Sequence, residues 1–111
     1  MNIKKEIQEK IQVLQSLEQN LQALMLQKQA FQVELNEAES ALSEIGKTKD
    51  DIYRITGQIM LKTDKNQVEK ELTERKDIIS LRLKSIDKQE KLLKEKLEKL
   101  KEEVTNEIKK E

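Results

Sequence analysis

Residues 51–64 have the sequence DIYRITGQIMLKTD, and this stretch decides how the rest of the chain must fold. β-branched and apolar residues are dense on both sides of Gly57-Gln58, and no helical period runs through them. A two-residue loop with glycine first fits the type II′ turn of tight β-hairpins. We therefore predict a hairpin over about 52–63. The predicted pairs are Thr56 with Ile59, Ile55 with Met60, Arg54 with Leu61 and Tyr53 with Lys62.

This hairpin is not expected to be stable alone. An isolated two-stranded hairpin is marginal in water, and each strand leaves one row of N–H and C=O groups without partners. The rest of the chain offers no further strand, so the missing strands must come from other subunits. The predicted subunit-assembly residues are the large side chains on the two faces: Tyr53, Ile55 and Met60 on one, and Ile52, Ile59 and Leu61 on the other.

A heptad repeat precedes the hairpin. Apolar residues recur in alternating steps of three and four over six heptads, and only Lys10 and Lys28 interrupt them, which is typical of a coiled-coil helix. We call these positions the first seam: Ile3, Ile7, Lys10, Leu14, Leu17, Leu21, Leu24, Lys28, Phe31, Leu35, Ala38, Leu42 and Ile45. The repeat predicts a helix over about 3–46. Gly46 is predicted to end it as a left-handed C′ residue.

A second repeat follows the hairpin and predicts a helix over about 65–109. Asp64 with Gln67 suggests a variant of the capping box at its start. The second seam consists of Leu72, Lys76, Ile79, Leu83, Ile86, Glu90, Leu93, Leu97, Leu100 and Val104. At a rise of ~1.5 Å per residue, each helix would be roughly 65 Å long.

The two seams match when the helices run antiparallel and facing residue numbers add to 114. Six layers then become wholly apolar: Leu14 with Leu100, Leu17 with Leu97, Leu21 with Leu93, Phe31 with Leu83, Leu35 with Ile79, and Leu42 with Leu72. Lys28 and Glu90 fall in adjacent layers, where an ion pair would fix the register. The sequence thus predicts a mainly α fold and one domain over 1–111: a long antiparallel two-helix coiled coil with a β-hairpin at the bend.

The composition narrows the classes of function. Basic and acidic residues number 22 each and are interspersed, and only 2% of residues are aromatic, so nothing favours nucleic acid as a partner. The chain has no Cys and no His, which removes thiolate and imidazole groups. We predict no catalytic, cofactor-binding or metal-binding residue, and hence no enzyme. No apolar stretch approaches ~20 residues, so we expect no membrane partner, no leader peptide and a cytoplasmic location.

Three segments of the chain resemble the β class of prefoldin. They are ELNEAESALSEI before the hairpin, IYRITGQIMLKT with DKNQVEKELTER after it, and LRLKSIDKQEKLLKEKLEKL in the second helix. The likeness extends over nearly the whole chain and is greatest to archaeal β subunits. The α class carries two hairpins between its helices, whereas this chain has room for one, which indicates the β class.

The resemblance implies a partner set and an activity. It implies a hexamer of two α-class and four β-class subunits whose hairpins join in intersubunit β-barrels. It also implies an ATP-independent chaperone, a holdase that binds non-native polypeptides at the tips of its coiled coils and prevents their aggregation. Such a complex passes its clients to a group II chaperonin.

The residues that contact clients have to be placed by geometry, because the resemblance carries no strict binding motif. The antiparallel pairing puts both chain termini at the end away from the hairpin, where aliphatic residues continue to the last turns. Val13 broadens the apolar stripe there. The predicted client-binding tip residues are Ile3, Ile7, Ile11, Val104 and Ile108. For Ile3, Ile7 and Val104, ordinary seam packing is the alternative.

Two further alternatives stay open from the residues alone. Aliphatic residues off the seams are either scattered surface positions or contacts with neighbouring subunits or with the platform of hairpins; they are Leu26, Val33, Ile78 and Leu81. A structural coiled-coil scaffold or spacer is the alternative function. It would explain the heptads, but it gives no reason to interrupt them with a hairpin that cannot pair its own edges.

Overall fold

The computed structural model describes residues 3–110 of the chain and the side chains of 4–110. In order along the chain, the elements are α1 (Ile3–Lys47), β1 (Ile52–Thr56), β2 (Ile59–Thr63) and α2 (Lys65–Lys109). The mainly α fold of two long helices joined through a hairpin is therefore confirmed, with bounds within one residue of those predicted.

The chain divides into two compact units. The helical unit combines Met1–Gln29 with Lys84–Glu111, and the hairpin unit is Ala30–Leu83. In each unit a segment of α1 packs against a segment of α2. Ion pairs cross between the helices in both units, for example Lys28 with Glu90 in the first and Arg75 with Glu34 in the second.

Seam residues form the core of the helical unit. Every first-seam position from Ile7 to Lys28, and every second-seam position from Ile86 to Val104, is buried or half-buried. The most buried are Ile7, Leu24, Ile86, Leu97 and Val104. Because fully burying an aliphatic side chain contributes about 1.5–3 kcal/mol, these layers are the main source of stability in this unit.

The hairpin unit is built on the same pattern. Ala38 and Ile79 are its most buried residues, and Phe31 lies half-buried in the seam with the guanidinium of Arg82 5.6 Å from its ring centroid. The predicted register makes facing residue numbers add to 114. Contacts across the helices in this unit join Glu34 with Arg75, Glu39 with Lys76 and Phe31 with Arg82, whose numbers add to 109, 115 and 113, on either side of that value.

The hairpin has the predicted pairing throughout. β1 and β2 are antiparallel, with Thr56 opposite Ile59 and Tyr53 opposite Lys62. Gly57 has φ of 62°, and Gln58 does not share this left-handed conformation. A positive φ at the first loop residue alone is the mark of a type II′ turn, so this prediction is confirmed.

The predicted end of the first helix is wrong in its detail. Gly46 lies inside α1 and does not have a positive φ, and the backbone N–H of Thr48 donates to the carbonyl of Glu44 at 3.1 Å beyond it. The ammonium group of Lys65 donates to the carbonyl of Thr48 at 2.9 Å. A side chain from α2 thus provides a donor at this helix end, where the prediction relied on a glycine cap.

The start of α2 matches only half of the predicted capping box. Asp64 is the N-cap, since its Oδ1 accepts a hydrogen bond of 3.2 Å from the backbone N–H of Asn66. Gln67 does not reach back. Its amide group donates to the carboxylate of Glu71 at 3.4 Å, one turn further along the helix.

Candidate interaction surfaces

The hairpin carries a surface of exposed aliphatic side chains. Ile55 is 71% exposed and Ile59 is 62% exposed, and Tyr53, Met60 and Leu61 are all more than half exposed. Ile52, the sixth predicted assembly residue, is half-buried. Among residues 3–110 the sheet has two strands, so each strand has one unpaired edge. Exposed apolar side chains beside open strand edges are the features that favour pairing with another chain.

Ion pairs fix the hairpin to its surroundings. The Arg54 guanidinium donates to the carboxylate of Glu71 on α2, and Lys62 lies 3.2 Å from the carboxylate of Asp51. An open cleft at the base of the hairpin is lined mainly by apolar residues: Ala41, Ile45, Ile52, Tyr53, Val68 and Leu72. The hairpin is thus positioned within its unit, while its outer surfaces stay accessible.

The predicted tip residues divide into two groups in the helical unit. Ile7 and Val104 are 8% and 7% exposed and pack in the seam, whereas Ile11 is 36% exposed and Ile108 is more than half exposed. Val13 is also more than half exposed. The side chain of Ile3 lies outside the described residues. Any contact of these residues with a client remains a prediction.

A polar layer lies beside the buried tip residues, and we call it the outer polar layer. The Lys10 ammonium donates to Oε1 of Glu107 and lies 3.8 Å from Oε2 of Glu103. The hydrogen bond to Glu107 raises the pKa of Lys10 above its ordinary value, against the lowering effect of burial. Sequence reasoning missed Glu107, although it lies three residues after Val104 and so continues the second seam.

The predicted pair of Lys28 and Glu90 is present, with a distance of 3.2 Å between Nζ and Oε2, and forms the inner polar layer. The sequence did not reveal Asp87, whose carboxylate lies 3.0 Å from the same ammonium group. Hydrogen bonds to Asp87 and Glu90 raise the pKa of Lys28, and the bond from Lys28 lowers the pKa of Glu90.

We expect the inner polar layer to fix the register at a cost in stability. Changing Lys28 and Glu90 together to Leu should raise the melting temperature by several degrees, because two largely covered charges would be replaced by apolar seam packing. Lys28→Leu alone is the control and should lower it, since Glu90 would lose its partner across the helices. Thermal unfolding by circular dichroism measures both. A lower melting temperature in the double variant would show that the pair is net stabilising.

Aliphatic residues off the seams are exposed in the single chain. Leu26, Val33, Ile78 and Leu81 are all more than half exposed, and Leu92, which sequence reasoning passed over, is too. Leu26 borders a shallow groove on α1 together with Leu21 and Met25. The exposure fits either surface positions or contacts with neighbouring subunits, so that alternative stays open.

Residues 3–110 contain no cluster of acidic side chains arranged to hold a metal ion. Neither α1 nor α2, as described, has an apolar stretch of the length needed to cross a membrane.

Comparison with known proteins finds similarity over most of the chain. A family model described as prefoldin subunit matches residues 8–111. Prefoldin subunit beta of Methanospirillum hungatei is 35% identical over 109 residues, covering 96% of this chain and 91% of that protein. Prefoldin subunit beta of Thermococcus onnurineus is 40% identical over 101 residues, covering 89% and 87%. The crystal structure of the prefoldin beta subunit from Thermococcus strain KS-1 has a TM-score of 0.81 at 37% identity, covering 91% of this chain and 90% of that one.

Proposed function

Because this chain belongs to the prefoldin family and is similar throughout to archaeal β subunits, we propose that it is one subunit of an ATP-independent holdase. Family membership implies a hetero-oligomer with other prefoldin subunits. The proposed complex acts in the cytoplasm, binds non-native polypeptides, prevents their aggregation and transfers them to a group II chaperonin. The proposed activity is binding and release, for which no catalytic residue is needed.

The exposed hairpin is the observation that carries this proposal. Ile55 and Met60 are the most exposed of the large strand residues that we assign to assembly, and Ile59 and Tyr53 are also exposed. A single chain that leaves these side chains and both strand edges in water gains by adding strands from other subunits. We therefore assign the hairpin to intersubunit β-barrels in a hexamer of two α-class and four β-class subunits.

Client binding is assigned to the tip residues of the helical unit. Ile11 and Ile108 are exposed there, and Val13 adds a third aliphatic side chain. A non-native polypeptide offers scattered apolar groups without a fixed shape, so small aliphatic patches suit it better than a rigid pocket. Weak contacts on several subunits combine through effective concentration, which gives firm capture and easy release without nucleotide.

A structural spacer is the alternative function. It accounts for the buried seams, but it leaves the exposed side chains of Ile55, Ile59 and Met60 without a role. A spacer would also be unable to protect a denatured protein from aggregation, so an aggregation assay distinguishes the spacer from the holdase.

The proposal is tested by mixing this chain with an archaeal α-class prefoldin subunit. We expect the measured mass to equal that of two α-class and four β-class subunits, and the chain alone to give a smaller mass. The purified complex should suppress light scattering by a denatured client in buffer without nucleotide. A complex of the expected mass that gives no protection would favour the spacer, and a failure to associate would contradict the assembly itself.

A further inference from the structure

The helical unit contains two polar layers of the same design. In the inner polar layer, Lys28 of α1 pairs diagonally with Glu90 of α2, and the other diagonal holds the buried residues Leu24 and Ile86. In the predicted register Lys28 faces Ile86 and Leu24 faces Glu90, since each of these pairs of residue numbers adds to 114. The charged pair thus lies between two of the most buried aliphatic side chains in the unit.

The outer polar layer repeats this arrangement at the last described turns. Lys10 pairs diagonally with Glu107, and the other diagonal holds Ile7 and Val104, both less than a tenth exposed. α2 ends at Lys109, two residues after Glu107. The described part of α2 therefore has no further seam position beyond this layer.

The outer polar layer is closed at an electrostatic cost. Oε1 of Glu107 accepts the hydrogen bond from Lys10, but Oε2 of the same carboxylate is buried and has no hydrogen-bond partner among the described residues. The charge of Lys10 offsets only part of the hydration that this oxygen has lost, because the oxygen itself has no hydrogen bond, and separating the helix ends would restore water to it. Helix termini also open more readily than helix interiors. The ion pair of Lys10 with Glu107 therefore holds the helix ends together, while the unpartnered oxygen of Glu107 favours their separation.

We propose that Lys10 is a positioning residue that, with Glu107, forms a latch over Ile7 and Val104. When the latch is closed, these two side chains pack in the seam and only Ile11, Val13 and Ile108 face solvent. When it opens, Ile7 and Val104 join the exposed aliphatic surface. The role of that surface in client capture rests on the proposed function, whereas the latch itself rests on the contacts of Lys10.

Three variants in the assembled hexamer test the latch. Lys10→Glu places like charge beside Glu103 and Glu107 and should open it. Lys10→Glu combined with Glu107→Lys restores an ion pair of reversed polarity and should close it again. Lys10→Leu combined with Glu107→Leu replaces the polar layer by apolar packing and should lock it closed.

The first measurement is amide hydrogen exchange in residues 4–12 and 101–109. We expect Lys10→Glu to raise exchange there by about tenfold or more, the charge-reversed pair to return most of the protection, and the Leu pair to slow exchange below that of the parent. Exchange in the hairpin strands should stay unchanged in all three, which controls for general loss of structure. Unchanged exchange near the helix ends in Lys10→Glu would overturn the latch.

The second measurement is suppression of client aggregation. We expect the Leu pair to capture denatured client several-fold less well than the parent, although its helix ends are more stable. A merely structural role for Lys10 predicts the opposite or no change, and equal capture by the parent and the Leu pair would overturn the proposal. If the parent complex itself gave no protection, the proposed function would be contradicted, and the exchange results would still decide whether the latch exists.

Discussion

Replacing Ile55 and Ile59 with Asp will abolish the hetero-hexamer while leaving the helices folded. In the single chain these side chains are 71% and 62% exposed, so carboxylates are tolerated there. Ile55 and Ile59 lie on opposite faces of the hairpin, so whichever face points into the proposed barrel receives a carboxylate, and an unpaired buried carboxylate costs several kcal/mol. In the proposed hexamer the effect is repeated, because each of the four β-class copies would carry both charges.

The matched control for this variant places the same two charges on the helices. Val13 and Leu92 are exposed to a similar extent, at 52% and 58%, and changing both to Asp should leave the hexamer's mass unchanged. Analytical ultracentrifugation of each variant mixed with the α-class subunit gives the mass, and circular dichroism gives the helix content. An intact hexamer from the hairpin variant would remove the hairpin from the assembly interface.

The helices and the hairpin register could be predicted because local patterns determine them. A seam that repeats in steps of three and four specifies a buried stripe, and the glycine-first loop at Gly57 fixes the pairing of both strands at once. The helix end at Gly46 could not be predicted in the same way. The donor supplied by Lys65 depends on how α2 lies beside α1, which the local sequence around Gly46 does not reveal.

The interaction surfaces were predictable to different degrees. Exposure of Ile55 and Met60 followed from the lack of further strands in the sequence, and the structure bears it out. At the tips, the prediction grouped residues that the structure separates, because Ile7 and Val104 are buried while Ile108 is exposed. The difference follows the heptad repeat, because Ile7 and Val104 are seam positions and Ile108 is not. The burial of Oε2 of Glu107 could not be predicted, because it depends on side-chain geometry that no heptad pattern specifies.

The division at the tips sharpens the expected result of mutating them. Changing the five predicted tip residues to Ser should remove client protection, but Ile7 and Val104 also hold the helices together, so their loss would loosen the structure as well. The cleaner variant changes only exposed positions. Replacing Ile11, Val13 and Ile108 with Ser removes solvent-facing aliphatic groups and should leave hexamer mass and helix content unchanged.

We expect this exposed-tip variant to lose about tenfold or more in its capacity to suppress aggregation, since a loss of only 1.4 kcal/mol across all client contacts is tenfold in affinity. The matched control changes Val33, Ile78 and Leu81 to Ser, three side chains that are also more than half exposed but belong to the hairpin unit. Light scattering of a denatured client at several ratios of hexamer to client compares the two. If the control variant lost protection and the exposed-tip variant kept it, the client surface would lie along the helices near Val33 and Leu81, and the tips would have no part in capture.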